Sequence, residues 1–120
     1  MKALVLATAL MTSLAGPALA HSPVNSSQPA DGAALDTVPQ TLTLTLAEPG
    51  RFMKVEVTYT AVNDSVNNTM ELEIPNRDVT GSMEFPAPDM GAGRYLVEWR
   101  VLGEDGHALN GTVTYTVQAQ

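Results

Sequence analysis

The sequence predicts an all-β protein: a single Greek-key β-sandwich of about seven strands, of immunoglobulin-like or cupredoxin-like type, after a cleaved signal peptide. Short stretches of alternating apolar and polar residues recur between residues 21 and 120, and a period of two is typical of a strand with one buried face. Clusters of Gly, Pro, Asn and Asp separate these stretches, as turns do. Helical periodicity is not evident after residue 20, which favours a sandwich of short strands over a mixed fold.

The first 20 residues have the parts of a secretory signal peptide. Lys2 gives a positive start, residues 3–14 are largely apolar, and Gly16-Pro17 precedes a small-residue cleavage motif, Ala18-Leu19-Ala20. The apolar stretch is shorter than the roughly 20 residues of a transmembrane helix, so an uncleaved anchor is the less favoured alternative. Cleavage after Ala20 would leave residues 21–120 as one exported domain that begins at His21.

The composition of residues 21–120 restricts the possible partners and sites. The chain has 13 acidic and six basic residues, and removing Lys2 with the signal leaves five basic ones and a formal net charge of −8. Such a domain should repel nucleic acid and anionic membranes. There is no cysteine, so a metal site must use histidine, carboxylate, methionine or the terminal amine rather than thiolate.

The individual strands follow from the alternation. In chain order they are an irregular Val24–Ser27, then Thr41–Leu46, Phe52–Thr60, Val66–Ile74, Gly81–Phe85, Arg94–Leu102 and Thr112–Gln118. The strongest central strand is Arg94–Leu102, where Trp99 alternates with other apolar residues and is therefore expected in the core. Glu48-Pro49-Gly50 and Gly103–Gly106 are expected to be turns.

Both histidines after residue 20 stand where a core histidine is not expected. His21 is the predicted first residue of the exported chain, and His107 follows Asp105-Gly106 in a turn between two strong strands. A terminal histidine can chelate one metal through its α-amine and its ring, since both groups lose protons near neutrality. With a second imidazole from His107 and an oxygen from Asp105, the donors would suit tetragonal Cu(II), with Ni(II) as the competitor. Alternatively, His21 is an arbitrary residue after a cleavage site and Asp105-Gly106 is ordinary turn chemistry.

Three segments together resemble the CopC family of periplasmic copper-binding proteins. Residues 92–101 (AGRYLVEWRV) are similar to its AG-x-Y-x-V-x-W-R-V strand, and residues 104–113 (EDGHALNGTV) to its D-x-H turn. Residues 21–32 (HSPVNSSQPADG) are similar to the opening that follows signal cleavage in that family. The resemblance spans the whole of residues 21–120 and keeps both ends in register.

The resemblance implies a function and a ligand set. Members of the family bind Cu(II) through the amine and ring of the first residue and the Asp and His of the D-x-H turn, which implies His21, Asp105 and His107 here. It also implies that Glu48 lies near the metal as a weak ligand or a neighbouring residue, although an ordinary solvated turn charge is as good an interpretation. The implied setting is the periplasm, and the implied partner is a CopD-like inner-membrane copper transporter.

Some members have a separate Cu(I) site in a methionine-rich loop with an added histidine, and this sequence departs from that pattern. Its Met53, Met70, Met83 and Met90 are scattered, and packing explains Met70 and Met90 better. We therefore expect the protein to bind Cu(II) and not Cu(I). Separately, we expect it to be a monomer.

Two rival functions remain open at this stage. A small histidine-brace copper enzyme, similar to lytic polysaccharide monooxygenases, would need an open coordination position and a substrate platform. The chain is short, its six aromatic residues give little material for a carbohydrate-binding face, and Asp105 would fill a position in the copper plane. A metal-free immunoglobulin-like interaction module is the other alternative. We expect a binding protein rather than an enzyme.

Overall fold

The computed structural model describes residues 24–63 and 67–119, and all of its regular elements are strands. In chain order these are β1 (Val24–Gln28), β2 (Ala34–Leu35), β3 (Thr41–Ala61), β4 (Asn67–Glu71), β5 (Thr80–Pro86), β6 (Gly93–Gly103) and β7 (Ala108–Val117). This confirms the predicted all-β class. The predicted signal peptide and His21 lie outside the described residues. Within the described part of the chain, no helix is long and apolar enough to cross a membrane.

The long strand β3 is central to the fold because its two halves pair with different strands. Its first half lies between β1 and β5, both antiparallel to it. Its second half lies between β4 and β6, and the sheet continues from β6 through β7 to the short parallel strand β2. One strand thus passes from one side of the sandwich to the other, and all seven strands belong to a single curled sheet.

The core fills the space between the two sides of this curled sheet. Leu42, Leu44 and Leu46 alternate inward along the first half of β3. The second half buries Phe52, and after a register shift between Phe52 and Lys54 the alternation resumes with Val55. Contact between the two sides includes Phe52 and Phe85, whose ring centres are 5.8 Å apart in an edge-on arrangement. The buried residues of all the longer strands belong to one cluster, so a single core holds the sandwich together.

Side-chain alternation predicted the core well. Trp99 is 3% exposed and belongs to that cluster, as expected from its place in β6. Met83 is buried, and Met70 and Met90 pack against the core from its margin, which also agrees with their predicted packing role. Met53 differs, because it is only partly buried and its sulfur lies 3.8 Å from Nη1 of Arg77.

The predicted turn at Glu48-Pro49-Gly50 is wrong. Thr41–Leu46 and Phe52–Thr60 are parts of the one strand β3, which continues through these residues. The ladder with β5 shifts register between Thr45 and Gly50, so the segment is an irregular stretch inside a strand. Proline is tolerated there because a shifted ladder leaves backbone groups unpaired.

Two further differences concern strand length. The predicted strand Val66–Ile74 is limited to Asn67–Glu71 among the described residues, although Leu72 and Ile74 still pack against the core. The two-residue strand β2 was missed altogether, since Ala34–Leu35 is too short to show a period.

Candidate metal centre

The turn between β6 and β7 holds the two described candidate ligands. The N–H of Gly103 donates to the carbonyl of His107 over 2.8 Å, and the N–H of Gly106 donates to the carbonyl of Gly103 over 3.0 Å. Gly106 has φ +86°, a backbone conformation that favours glycine. The sequence Asp-Gly therefore folds here as a tight connection that projects Asp105 and His107 from the end of the hairpin.

The Asp105 carboxylate contacts His107 through both of its oxygens. Oδ1 accepts the backbone N–H of His107 over 3.0 Å, and Oδ2 lies 3.0 Å from ring Nδ1. The backbone N–H first, and then the ring, lower the pKa of the Asp105 carboxyl below its ordinary value because both stabilise its charged form. Asp105 is therefore ionised at neutral pH and is available as an oxygen donor.

Both side chains are open to solvent, with exposed fractions of 70% for Asp105 and 80% for His107. Such exposure suits a site that takes up and releases a metal ion. Residues 24–63 and 67–119 contain no group of three or more His, Cys, Asp or Glu side chains placed to hold a metal. A metal site that used Asp105 and His107 would therefore need further donors from outside these residues.

The strand register brings two other features to the same end of the sandwich. Gly50 of β3 lies opposite Gly103 of β6, and Glu48 is an exposed residue two positions before Gly50. The strands β3 and β6 are antiparallel, so the residues before Gly50 in β3 run alongside the residues after Gly103, toward Asp105. Glu48 therefore lies on the side of β3 that faces the hairpin end.

The beginning of β1 lies at this end as well. Val24, its first residue, is opposite Leu46 of β3, again two positions from Glu48. His21 is outside the described residues, but β1, the strand that follows it, begins beside the irregular stretch of β3.

Glycine at position 103 is a feature of the site that sequence reasoning did not single out. A Cβ at this position would lie 3.0 Å from Oδ1 of Asp105 and 3.5 Å from the carbonyl of His107. A side chain there would push against the carboxylate that contacts His107. The sequence shows Gly103 only as a turn residue, because this close approach depends on the three-dimensional turn.

The comparisons with known proteins all point the same way. The CopC domain family model matches residues 24–118. Copper resistance protein C from Escherichia coli is 28% identical over 120 residues, covering 95% of this chain and 94% of that protein.

Solved structures give the same result for the fold. The crystal structure of PcoC, a methionine-rich copper resistance protein from Escherichia coli, has a TM-score of 0.60 at 26% identity and covers 82% of this chain and all of that chain. CopC from Methylosinus trichosporium OB3b has a TM-score of 0.60 at 21% identity, covering 82% of this chain and 94% of that one.

Proposed function

This chain belongs to the CopC family, and from this premise we propose that it is an exported copper-binding protein of copper resistance that carries one Cu(II) ion. The names of its relatives, copper resistance protein C and the copper resistance protein PcoC, support a copper-binding role. In this proposal residues 1–20 are removed on export and the mature protein works in the periplasm without catalysing a reaction.

The observation that carries the proposal is the spacing of two donors in the hairpin turn. First-row divalent metals sit about 2.0–2.1 Å from imidazole nitrogen and carboxylate oxygen, and two such donors at a right angle are therefore about 2.9 Å apart. Oδ2 of Asp105 and Nδ1 of His107 are 3.0 Å apart. This is the separation that one copper ion would require, so the ring and the carboxylate would have to turn toward the ion but would not have to move apart.

The remaining two donors in the proposal are the α-amine and the ring of His21. Three residues of extended chain span about 10 Å, and β1 begins at Val24, opposite Leu46 at the hairpin end of β3. In the proposal, the terminal histidine three residues before Val24 extends from this end toward Asp105 and His107. Glu48 is proposed as a neighbouring carboxylate or a weak ligand, since it is exposed at the same end.

This donor set also favours a carrier over a copper enzyme. Three nitrogens and the Asp105 oxygen would occupy all four positions of a tetragonal plane, which leaves none there for oxygen activation. We propose that the bound copper passes to a CopD-like membrane transporter. We also propose that Cu(I) is not bound at a methionine site, because the side chains of Met70, Met83 and Met90 pack in the core or at its margin.

Copper titration of the exported form, residues 21–120, tests the proposed site. We expect one Cu(II) per chain and an EPR spectrum of nitrogen-rich tetragonal copper. His107→Phe should remove one nitrogen from the hyperfine pattern and weaken affinity by about 100-fold or more, because an atom bound directly to the metal is lost. Asp105→Asn should weaken binding and alter the spectrum.

Glu104→Gln is the matched control, because Glu104 is an exposed carboxylate of the same turn that we assign no role at the metal. Its affinity and spectrum should equal those of the wild type. If His107→Phe kept the wild-type spectrum and affinity, or if Glu104→Gln lost as much as Asp105→Asn, the proposed ligand set would be wrong.

A further inference from the structure

The basic residues of this acidic chain are concentrated on one face of the sheet. Five basic side chains follow residue 20, and four of them form the basic patch, which we define as Arg51, Lys54, Arg77 and Arg100. Lys54 of β3 lies opposite Arg100 of β6, and Arg51, which precedes Lys54 in β3, lies opposite Leu102. These three basic side chains are exposed, whereas the residue that follows each of them is buried, so they project from the outer face.

Arg77 joins the basic patch from the segment between β4 and β5. Its carbonyl accepts a hydrogen bond from Nη1 of Arg51 over 2.6 Å. Its own Nη1 lies 3.8 Å from the sulfur of Met53, which stands between Arg51 and Lys54 in β3. These contacts orient two neighbouring guanidinium groups. A guanidinium has five N–H donors, so each of these two groups keeps most of its donors for a ligand.

The three arginines of the basic patch are not neutralised within the chain. In residues 24–63 and 67–119, no ion pair includes Arg51, Arg77 or Arg100, although the sequence supplies 13 acidic residues. Lys54 and Arg100 also lie directly opposite each other, where like charges are destabilising. This arrangement does not stabilise the fold, which points to the recognition of an anionic partner.

The charges beside the basic patch restrict the shape of that partner. Glu56 lies opposite both Glu71 of β4 and Glu98 of β6, so the next row of side chains on this face is acidic. Lys54, Arg100 and two of these glutamates line one open groove of about 440 Å³. A flat anionic membrane would cover both rows at once and would be repelled by the acidic one. A protein segment is narrow enough to place its carboxylates over the basic patch alone.

We propose that the basic patch is a docking surface for a carboxylate-rich, extended segment of a partner protein. Arginine pairs with a carboxylate through two parallel hydrogen bonds, and the patch supplies three arginines and one lysine. Alternate side chains of an extended segment lie on one face about 7 Å apart, a spacing that the long basic side chains of adjacent strands can reach. The attraction is local, because charges more than about 8 Å away are largely screened at physiological salt.

The basic patch begins beside the turn of the candidate metal centre. Arg51 lies opposite Leu102, and the adjacent pair of Gly50 and Gly103 leads into the β6–β7 turn. A docked partner would therefore stand next to the proposed copper ligands, in a position to exchange the ion. This use of the surface rests on the proposed function, whereas the docking itself requires no metal.

Titration of metal-free residues 21–120 with an end-blocked peptide of six glutamates tests this inference independently of copper binding. Both molecules are negative, so their net charges predict repulsion and saturable binding reports the basic patch. We expect a dissociation constant on the order of 0.1–1 mM at low salt that rises as salt is added, with NMR shift changes centred on the patch residues. A peptide of six glutamines should not bind. Absence of saturable binding at low salt, or shift changes centred elsewhere, would overturn the proposal.

Arg100→Gln and Arg94→Gln are a matched pair of variants. Both arginines are exposed in β6, and both substitutions remove one positive charge, but Arg94 lies opposite Thr60 and outside the basic patch. Arg100→Gln should raise the dissociation constant of the glutamate peptide about threefold or more, and Arg94→Gln should leave it unchanged. The melting temperature of Arg100→Gln should not fall, because the substitution removes the like charge opposite Lys54. Equal losses of affinity in the two variants would mean that only net charge acts, and the docking surface would be refuted.

Cosedimentation with vesicles of phosphatidylglycerol and phosphatidylcholine tests a membrane as the anionic partner instead. We expect the metal-free protein to stay in the supernatant at low salt, because the acidic row and the net charge oppose a flat anionic surface. Vesicle binding that Arg100→Gln abolishes would assign the basic patch to a membrane and would overturn the proposed protein partner.

Discussion

Single residues set the geometry of the candidate site, and Asp105 contributes the most. Its carboxylate contacts both the backbone N–H and the ring of His107, so the imidazole is oriented before any metal is bound. Preorganised ligands bind more tightly because less side-chain freedom is lost on binding. The exposed ring of His107 is thereby held against the Asp105 carboxylate.

This orientation depends on the small size of Gly103, which leads to a prediction. Gly103→Ala would place a Cβ 3.0 Å from Oδ1 of Asp105, so the carboxylate must shift by a few tenths of an ångström. We expect Cu(II) affinity to fall by up to about tenfold, with little change in the melting temperature because the turn is at the surface. Competition titration with a chelator of known affinity measures the effect.

Gly81→Ala is the control for the Gly103 variant. Gly81 also lies in a strand, but nothing is within 4 Å of the position of its Cβ. Copper affinity in this variant should remain that of the wild type. Equal affinities of the two alanine variants would mean that Gly103 has no part in positioning Asp105.

At the scale of whole elements, strand existence could be predicted from sequence, whereas the connection between strands could not. The leucines of Thr41–Leu46 and the alternating residues of Phe52–Thr60 gave two correct stretches of strand. The intervening Glu48-Pro49-Gly50 has turn composition, but β3 continues through it because the two halves pair with different partners. Pairing partners are set by long-range contacts, which local sequence does not encode.

The same limit applies to the candidate site. A D-x-H turn between two strands is a local feature, and the structure has that turn at residues 103–107. The position of Glu48 at the same end depends on the register of β3 with β6, which no local pattern reveals. Its contact with a metal stays a prediction, as does the role of His21.

The packing of β6 against β7 supports a prediction about two tyrosines. Tyr95 and Tyr115 stack with ring centres 4.9 Å apart. The Tyr95 hydroxyl accepts the N–H of Met90 and donates to the carbonyl of Gly91. The Tyr115 hydroxyl is buried without a partner among the described residues. Tyr115→Phe should therefore raise the free energy of unfolding by about 1 kcal/mol, and Tyr95→Phe should lower it by about 1–2 kcal/mol.

Alkaline pH gives an independent check on Tyr115. Burial raises the pKa of its hydroxyl to about 12, above the ordinary value of about 10. The unfolded chain therefore loses this proton first, so the stability of the wild type is intact below about pH 10 and falls as the pH rises toward 12. Urea unfolding at several pH values should show a shallower alkaline loss for Tyr115→Phe. An unchanged slope would mean that Tyr115 does not carry this effect.

At the scale of the whole molecule, the fold gathers distant parts of the chain at one end. The start of β1, the irregular middle of β3 and the β6–β7 turn meet through the registers Val24–Leu46 and Gly50–Gly103. The fold thus brings the start of β1 to the end of the sandwich that carries a hairpin about 80 residues later in sequence. In the proposed function, proteolysis completes the site by freeing an amine at this end.

That dependence on proteolysis leads to the last prediction. A single alanine added before His21 converts its amine into an amide and moves the terminal amine one residue away, so the amine and ring of one residue no longer form the proposed chelate. We expect Cu(II) affinity to fall by about 100-fold or more and the EPR pattern to change.

The same alanine added after Gln120 is the control and should change neither, since the last described strand ends at Val117, away from the proposed donors. Isothermal titration of the three proteins gives the comparison, with mass spectrometry to verify each N-terminus. If the N-terminally extended protein bound Cu(II) as tightly as the exported form, the terminal chelate would be excluded. Asp105 and His107 would then have to bind copper with donors other than the terminal amine.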